Sequence, residues 1–291
     1  MPELPELQAH AERLSEQFGG REIAGFRPLA FTTLKTFSPD PALTHGHTLT
    51  GVSRRGKYLI LHTDLLLDTG ATDEGASPVS FIVHLMQGGR LEPDEKQAAK
   101  PRGGLARWTF DDGPALLLTE PGSERKAGVW LGAGDLGAAP PLLDLGPDAD
   151  VVSPDDLAGL LAGHPMRLHG FLRDQHIVAG IGRRLANEIC HRAKLSPFAG
   201  TAKLDAGQIE RLHAAIGSCI VDGLAEERER TSLSKSKERT SAVHNQVGEP
   251  CPVCGDAVRA VEYRAYTVAY CPTCQTGGKV LADNTTSKFL K

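Results

Sequence analysis

The sequence predicts an α+β fold: an N-terminal helix on an antiparallel β-sandwich, a helical segment, and a C-terminal metal-bearing β-hairpin. Three observations carry this expectation. Leu4, Leu7, Ala11, Leu14 and Phe18 recur at helical spacing. Short apolar segments separated by turn residues follow, the pattern of an antiparallel sandwich or barrel. Near the C-terminus, two Cys-x-x-Cys pairs flank another alternating stretch.

Taken in order, Gly19-Gly20 ends the first helix. Strand-like segments are REIAGFRPL, LTGVSRRGKYLILHT, SFIVHLMQGGRLE, LARWTF and ALLLTE, parted by loops at 66–78 and 93–104 and by the turn at 111–113. These define a first domain over 1–131. The Gly-, Pro- and Asp-rich stretch 132–154 reads as a linker. Beyond it, 155–161, 166–173, 183–193 and 204–227 each carry apolar residues on one face, so 155–242 reads as a helical domain. Its last part, RERTSLSKSKERTSA over 228–242, is charged and poor in apolar residues, which predicts a mobile segment. Residues 243–291 hold the paired cysteines and a tail.

Composition narrows the function classes. With 291 residues and 40% hydrophobic content, a sizeable core is possible, although aromatics are only 5%. No stretch reaches membrane-span length and no signal-peptide pattern opens the chain, so a cytoplasmic protein is expected. The net charge of −4 is uneven: residues 164–291 carry 18 basic against 13 acidic side chains, and residues 1–163 carry 14 against 23. A basic C-terminal half permits phosphate binding locally, because salt screens the distant acidic groups. Cys190 and Cys219 fall in apolar helical patterns and read as buried thiols.

Chemistry concentrates at a few points. If Met1 is removed, Pro2 becomes a free secondary amine, with an ordinary α-amino pKa of roughly 8. Such an amine attacks carbonyl carbon to form an iminium, and Glu3 could move protons beside it. The same prolines, Pro2 and Pro5, also suit a plain helix start. Cys251, Cys254, Cys271 and Cys274, with 16 residues between the pairs, have the spacing of one structural zinc held by four thiolates. Arg54, Arg55 and Lys57 lie in or before a strand, as exposed strand charges often do. In VAGIGRRLANEI a glycine turn precedes a helix whose first turn carries Arg183 and Arg184. That end could hold a phosphate or simply be a tight interhelix turn.

Together these motifs resemble the formamidopyrimidine-DNA glycosylase and endonuclease VIII family, over nearly the whole chain and in the family's order. The motifs are MPELPE, RRGKYL, HLMQGGRL, FLRDQHIVAGIGRRLANEI and VHNQVGEPCPVCG. The resemblance implies a base-excision repair glycosylase with abasic-site lyase activity, using Pro2 as nucleophile with Glu3 and Glu6 behind it. Lys57 would serve as a catalytic or phosphate-binding lysine. It implies a helix-two-turn-helix segment over 155–242, a zinc-finger hairpin, and no catalytic cofactor. The expected partner is duplex DNA with damaged bases or abasic sites, bound by a monomeric, prokaryotic, nucleoid-associated protein. Implied DNA contacts are Met86 and Gln87 in the gap-filling loop, Arg125, Arg183, Arg184 and Arg264.

The chain departs from the family at several of these points. Arg183 stands where the family often has Asn, and Leu185 where it has Tyr. Met86 is second after His84, with Gln87 in the family's Met position. Ala127 occupies a Phe position of the purine-lesion branch. Tyr266 occupies the position of the finger's DNA-contacting Arg, leaving Arg264 as its substitute. Lesion choice therefore stays open, and two rivals remain: a damaged-DNA binder without catalysis, and a zinc-ribbon nucleic-acid module.

Overall fold

A computed structural model describes residues 1–68, 76–122, 125–263 and 266–281. The chain divides into two compact units, Met1–Asp144 with Glu227–Ser234, and Leu145–Glu226 with Lys235–Lys291.

In the first unit, helix α1 (Leu4–Phe18) buries the stripe Leu7, Ala11, Leu14 and Phe18. Eight antiparallel strands follow: β1 (Arg21–Pro28), β2 (Thr48–Arg55), β3 (Tyr58–Leu67), β4 (Ser77–His84), β5 (Arg90–Asp94), β6 (Gly104–Phe110), β7 (Ala115–Thr119) and β8 (Gly128–Ala133). Their order is β5-β7-β6-β1-β2-β3-β4-β8.

Strand β1 belongs to both halves of this sheet. Its start pairs with β2 at Arg21↔Leu49. After an irregularity between Ile23 and Gly25, the rest pairs with β6, through to Pro28↔Ala106. Such a bulge bends and twists the strand, which lets the sheet fold over itself as a sandwich. Phe26 and Trp108 from one half meet Phe81 from the other, at ring centroids 5.0 and 5.5 Å apart. Inward positions alternate as a half-buried sheet requires: Leu59 and Leu61, Val79, Phe81 and Val83, Leu116 and Leu118, Val129 and Leu131.

Two sequence expectations are corrected here. Strand β8 runs to Ala133, so the stretch read as linker from Gly132 begins inside the sheet. The segment read as mobile is partly locked down: Leu233 is only 4% exposed and joins the first unit's core. The buried Glu227 carboxylate accepts the Ser234 N–H at 2.8 Å, and Arg13 donates to the Glu227 carbonyl at 2.9 Å. One leucine and one buried glutamate are enough to anchor the return, and averaging over a charged window hides both.

The second unit contains α2 (Pro154–Gly163), α3 (Leu168–Arg173), α4 (Arg183–Arg192) and most of α5 (Ala206–Arg228). The hairpin β9 (Arg259–Tyr263) and β10 (Tyr266–Tyr270) and the short α6 (Pro272–Thr276) follow. Ser153 caps α2 by accepting the Asp156 N–H. Asp205 and Gln208 exchange hydrogen bonds at the start of α5, satisfying donors that a helix start leaves unpaired. Leu212, Ile216, Cys219 and Ile220 form the buried stripe of α5. Cys190 and Cys219 are free and buried as expected. Burial pushes the Cys190 thiol far up and that of Cys219 to about 11, so neither is a reactive thiolate. No helix among the described residues is long and apolar enough to cross a membrane.

Candidate active site and metal centre

Glu3 is the N-cap of α1, with extended backbone, and Pro5 occupies its first turn. The Glu6 carboxylate accepts the Glu3 N–H at 2.6 Å. Glu3 and Glu6 are 4% and 2% exposed, and Pro2 is buried beside them. The cap therefore fixes the chain direction just after Pro2 and holds two buried carboxylates together at the start of α1.

Lys57 stands in the turn between β2 and β3, opposite the loop that follows β4. The Tyr58 ring packs on His84 at 4.6 Å. Burial, helped by the Lys57 charge, lowers the His84 pKa to about 4. The neutral ring then has a free acceptor, and its Nδ1 takes the Met86 N–H at 3.3 Å. This bond supports Met86 in a left-handed conformation, at φ 52°. Gly89 donates to the Leu85 carbonyl at 2.8 Å. A Cβ on Gly89 would lie 2.2 Å from that oxygen, so glycine is required. Within the loop, Met86 packs against the core while Gln87 is exposed. Gln87 is thus the side chain the loop offers outward.

Arg125 is exposed in a loop whose next two N–H groups, on Lys126 and Ala127, donate to the buried Glu120 carboxylate at 2.6 and 2.8 Å. Sequence reasoning missed Glu120, because nothing in TEPGS distinguishes a buried loop anchor from a surface acid.

In the second unit, Gln175 builds the turn ahead of α4. Its Nε2 donates to the carbonyls of Arg173 and Ile181, and its Oε1 accepts the Gly180 N–H. Gly182 is the N-cap of α4, and the positive end of a helix dipole favours an anion. Arg183 is half-buried at that end. Arg184 is 7% exposed, with a long bond from Nη1 to the Thr240 carbonyl at 3.5 Å. Glu188 accepts three consecutive N–H groups, from Ala242, Val243 and His244, and so ties α4 to the chain entering the finger.

The four cysteines of the finger converge, with all sulfurs within 4.8 Å of one another. The Cys251–Cys274 and Cys254–Cys271 pairs are 3.9 and 3.4 Å apart. A tetrahedral zinc with Zn–S near 2.3 Å needs sulfurs about 3.8 Å apart, so the residues fit the metal. Two supporting groups escaped sequence reasoning. His191 on α4 places Nε2 3.2 Å from the Cys251 sulfur. Gln275 accepts the Cys271 N–H at 2.7 Å and donates to the Leu195 carbonyl at 2.9 Å. Spacing finds ligands, and neither a histidine 60 residues before Cys251 nor a glutamine just after Cys274 carries such a signature. Arg264 lies outside the described residues.

Comparison with known proteins gives a consistent picture. Residues 1–130 match the formamidopyrimidine-DNA glycosylase N-terminal domain. A Symbiobacterium thermophilum protein named formamidopyrimidine-DNA glycosylase is 30% identical over 290 residues, covering 94% of this chain and 89% of its own. An uncharacterized formamidopyrimidine-DNA glycosylase-like protein of Mycobacterium tuberculosis is 48% identical over 149 residues, which is 50% of this chain and 94% of that protein. The fold is shared with Lactococcus lactis formamidopyrimidine-DNA glycosylase, crystallised non-covalently bound to DNA containing an abasic site. That match has a TM-score of 0.80 at 22% identity and covers 94% of this chain and 99% of the other.

Proposed function

The chain belongs to the formamidopyrimidine-DNA glycosylase family, and on that premise we propose that it excises oxidised bases from duplex DNA and cleaves the resulting abasic site. The observation that carries this reading is the N-terminus, where Pro2 adjoins two buried carboxylates held by the α1 cap. The relatives' names and the DNA-bound structure of the shared fold support it. In this reading 1–131 is the catalytic domain, 155–242 the helix-two-turn-helix domain and 243–291 the finger.

The damaged nucleotide leaves the stack, because the target bond is unreachable inside a duplex. Gln87, the exposed side chain of the 84–89 loop, fills the space left behind. With Met1 removed, the Pro2 nitrogen attacks C1′ of the deoxyribose. The C1′–base bond breaks, its electrons leave with the base, and the proton lost from the Pro2 nitrogen goes to the departing base. Glu3, as an acid, protonates the ring oxygen; the sugar opens and the C1′–nitrogen bond becomes an iminium. The iminium acidifies the C2′ hydrogen. A carboxylate takes that proton, and the bond to the 3′ phosphate breaks. A second elimination releases the 5′ phosphate, and water hydrolyses the iminium to restore Pro2. Lys57 and Arg183 bind phosphates flanking the lesion. Zinc at Cys251, Cys254, Cys271 and Cys274 would fix the finger hairpin; a complete set of four thiolates gives it a structural task.

Borohydride trapping tests the reading, because it reduces an iminium to a stable amine. Duplexes with 8-oxoguanine, dihydrouracil or an abasic site are compared for wild type, Pro2→Gly and Glu3→Gln. A covalent complex that depends on Pro2, with the modified peptide at the processed N-terminus, is the expected result. Binding without trapping on any duplex would instead indicate a non-catalytic damage binder. Retention of Met1 in the native protein would exclude the Pro2 mechanism, since the nitrogen would then be an amide.

A further inference from the structure

Arg173 closes α3, and its guanidinium carbon lies 4.3 Å from the centre of the Tyr266 ring. Tyr266 opens β10 and stacks on Tyr263, with centroids 4.8 Å apart and planes 12° from parallel. His169, one turn before Arg173 on α3, lies nearly parallel to the same ring at 6.2 Å. Other arginines of this unit find acceptors: Arg167 the Phe198 carbonyl, Arg192 the Asp222 carboxylate, Arg211 the Gly207 carbonyl. Among the described residues the half-buried Arg173 side chain has the Tyr266 ring and neither a hydrogen bond nor an ion pair. His169 offers no compensating charge, since burial and the nearby Arg173 keep it neutral at physiological pH.

A guanidinium carbon 4.3 Å from a ring centre is held by cation–π attraction, and its N–H donors stay available to an acceptor. The stack removes rotamer freedom in advance, so an oxyanion meets a preset fork. Gln175 Nε2 bridges the carbonyls of Arg173 and Ile181, which puts the end of α3 beside the turn that opens α4. Tyr266 already carries Tyr263 and Arg173 on its ring, so the cluster favours phosphate over a stacked base.

We propose that Arg173, held on Tyr266, is a phosphodiester ligand of this protein and forms a second backbone contact beside Arg183. The assignment rests on the DNA-repair reading above. It supplies, from α3, a cation at a hairpin position that carries tyrosine in this chain. Because phosphate contacts carry no sequence or lesion information, the pair sets affinity and salt dependence and leaves lesion preference alone.

The test is binding of the zinc-loaded full chain to a duplex carrying a tetrahydrofuran abasic analogue, titrated with KCl. Wild type, Arg173→Met, Arg173→Lys, Tyr266→Phe and Tyr266→Leu are compared, with zinc content and melting temperature as checks on folding. Losing one phosphate contact lowers the slope of log K against log salt by about one. Arg173→Met should show that loss, with affinity down roughly tenfold near physiological salt, as that slope change implies. Arg173→Lys should recover the slope, and Tyr266→Phe should match wild type. Tyr266→Leu should weaken binding with little change in slope, because the cation persists without its support. A wild-type slope in Arg173→Met, with folding and wild-type binding intact, overturns the assignment. Failure of Arg173→Lys to recover the slope would do the same, by showing a structural role. Absence of wild-type DNA binding overturns the functional reading, and this assignment with it.

Discussion

Two neighbouring arginines open α4, and they differ in burial: Arg183 is half-buried and Arg184 buried. Consecutive residues on a helix point about 100° apart, so Arg183 can face an anion while Arg184 turns inward against the 240 region. The pair looked equivalent in sequence because both fall in a first turn after a glycine. The contact of Arg184 with Thr240, 56 residues on, is a tertiary feature that the local sequence does not show. Arg184→Ala should therefore destabilise the protein by about 1–3 kcal/mol, through lost stem packing and a weakened buried hydrogen bond. Its DNA salt slope should stay at the wild-type value. Arg183→Ala should do the reverse, with stability changed by about 0.5 kcal/mol or less and a slope smaller by about one. Urea unfolding and a salt titration on the same two variants decide this. Equal slopes in the two variants would put Arg184 back among the phosphate ligands.

At the level of elements, the finger and the returning segment depend on few groups. The finger's own apolar core is small: Val243, Cys251, Val258, Ala269 and Cys271. Two of these five, Cys251 and Cys271, belong to the four cysteines that could hold a metal ion, so chelating such an ion would remove a cross-link and the centre of the core together. One zinc per chain is expected by elemental analysis. After chelation, amide protection over 250–278 should collapse while that of β3 and β4 persists. Uniform protection with and without metal would show that the hairpin stands on packing alone. His191→Ala should speed zinc loss to a competing chelator, whereas His191→Gln, which keeps a donor, should be milder. The returning segment gives a second test. Leu233→Ala should cost about 2–4 kcal/mol if Leu233 is core, and under about 0.5 kcal/mol if the segment were a solvated tail. The finger was legible because four ligands at fixed spacing leave one solution. Strand β8 and Leu233 were not, because each shows its apolar residues beside a stretch whose composition argues for a loop.

Across the whole molecule, the order of elements was readable from periodicity, and the carboxylate pair at the N-terminus from its motif. What periodicity could not supply was the burial of polar groups, which depends on chain brought from far away. Three histidines in three elements illustrate this: His10 on α1, His84 ending β4, and His169 on α3. Burial is the largest cause of the lowered pKa in each, reinforced by Arg13, Lys57 and Arg173 respectively. His10 and His84 fall to about 4 and His169 to about 3. In the unfolded chain each titrates near 6.5. Between pH 6.5 and 4 the unfolded state therefore binds up to three more protons than the native state, so stability falls as pH falls. Each histidine contributes at most about 1.4 kcal/mol per pH unit, or about 4 kcal/mol per unit together. The loss should begin near pH 6.5, be steep at pH 5, and flatten for His10 and His84 below about 4. Denaturant unfolding at pH 7.5, 6 and 5 measures the slope. His10→Gln, whose amide can place a donor near the position of Nε2 and so keep the bond to the Leu91 carbonyl now at 2.9 Å, should reduce that slope by about one third. A flat profile from pH 6.5 to 5 would mean that these rings take up protons while folded, and that the neutral acceptor required of His84 by the Met86 turn is not what holds the 84–89 loop.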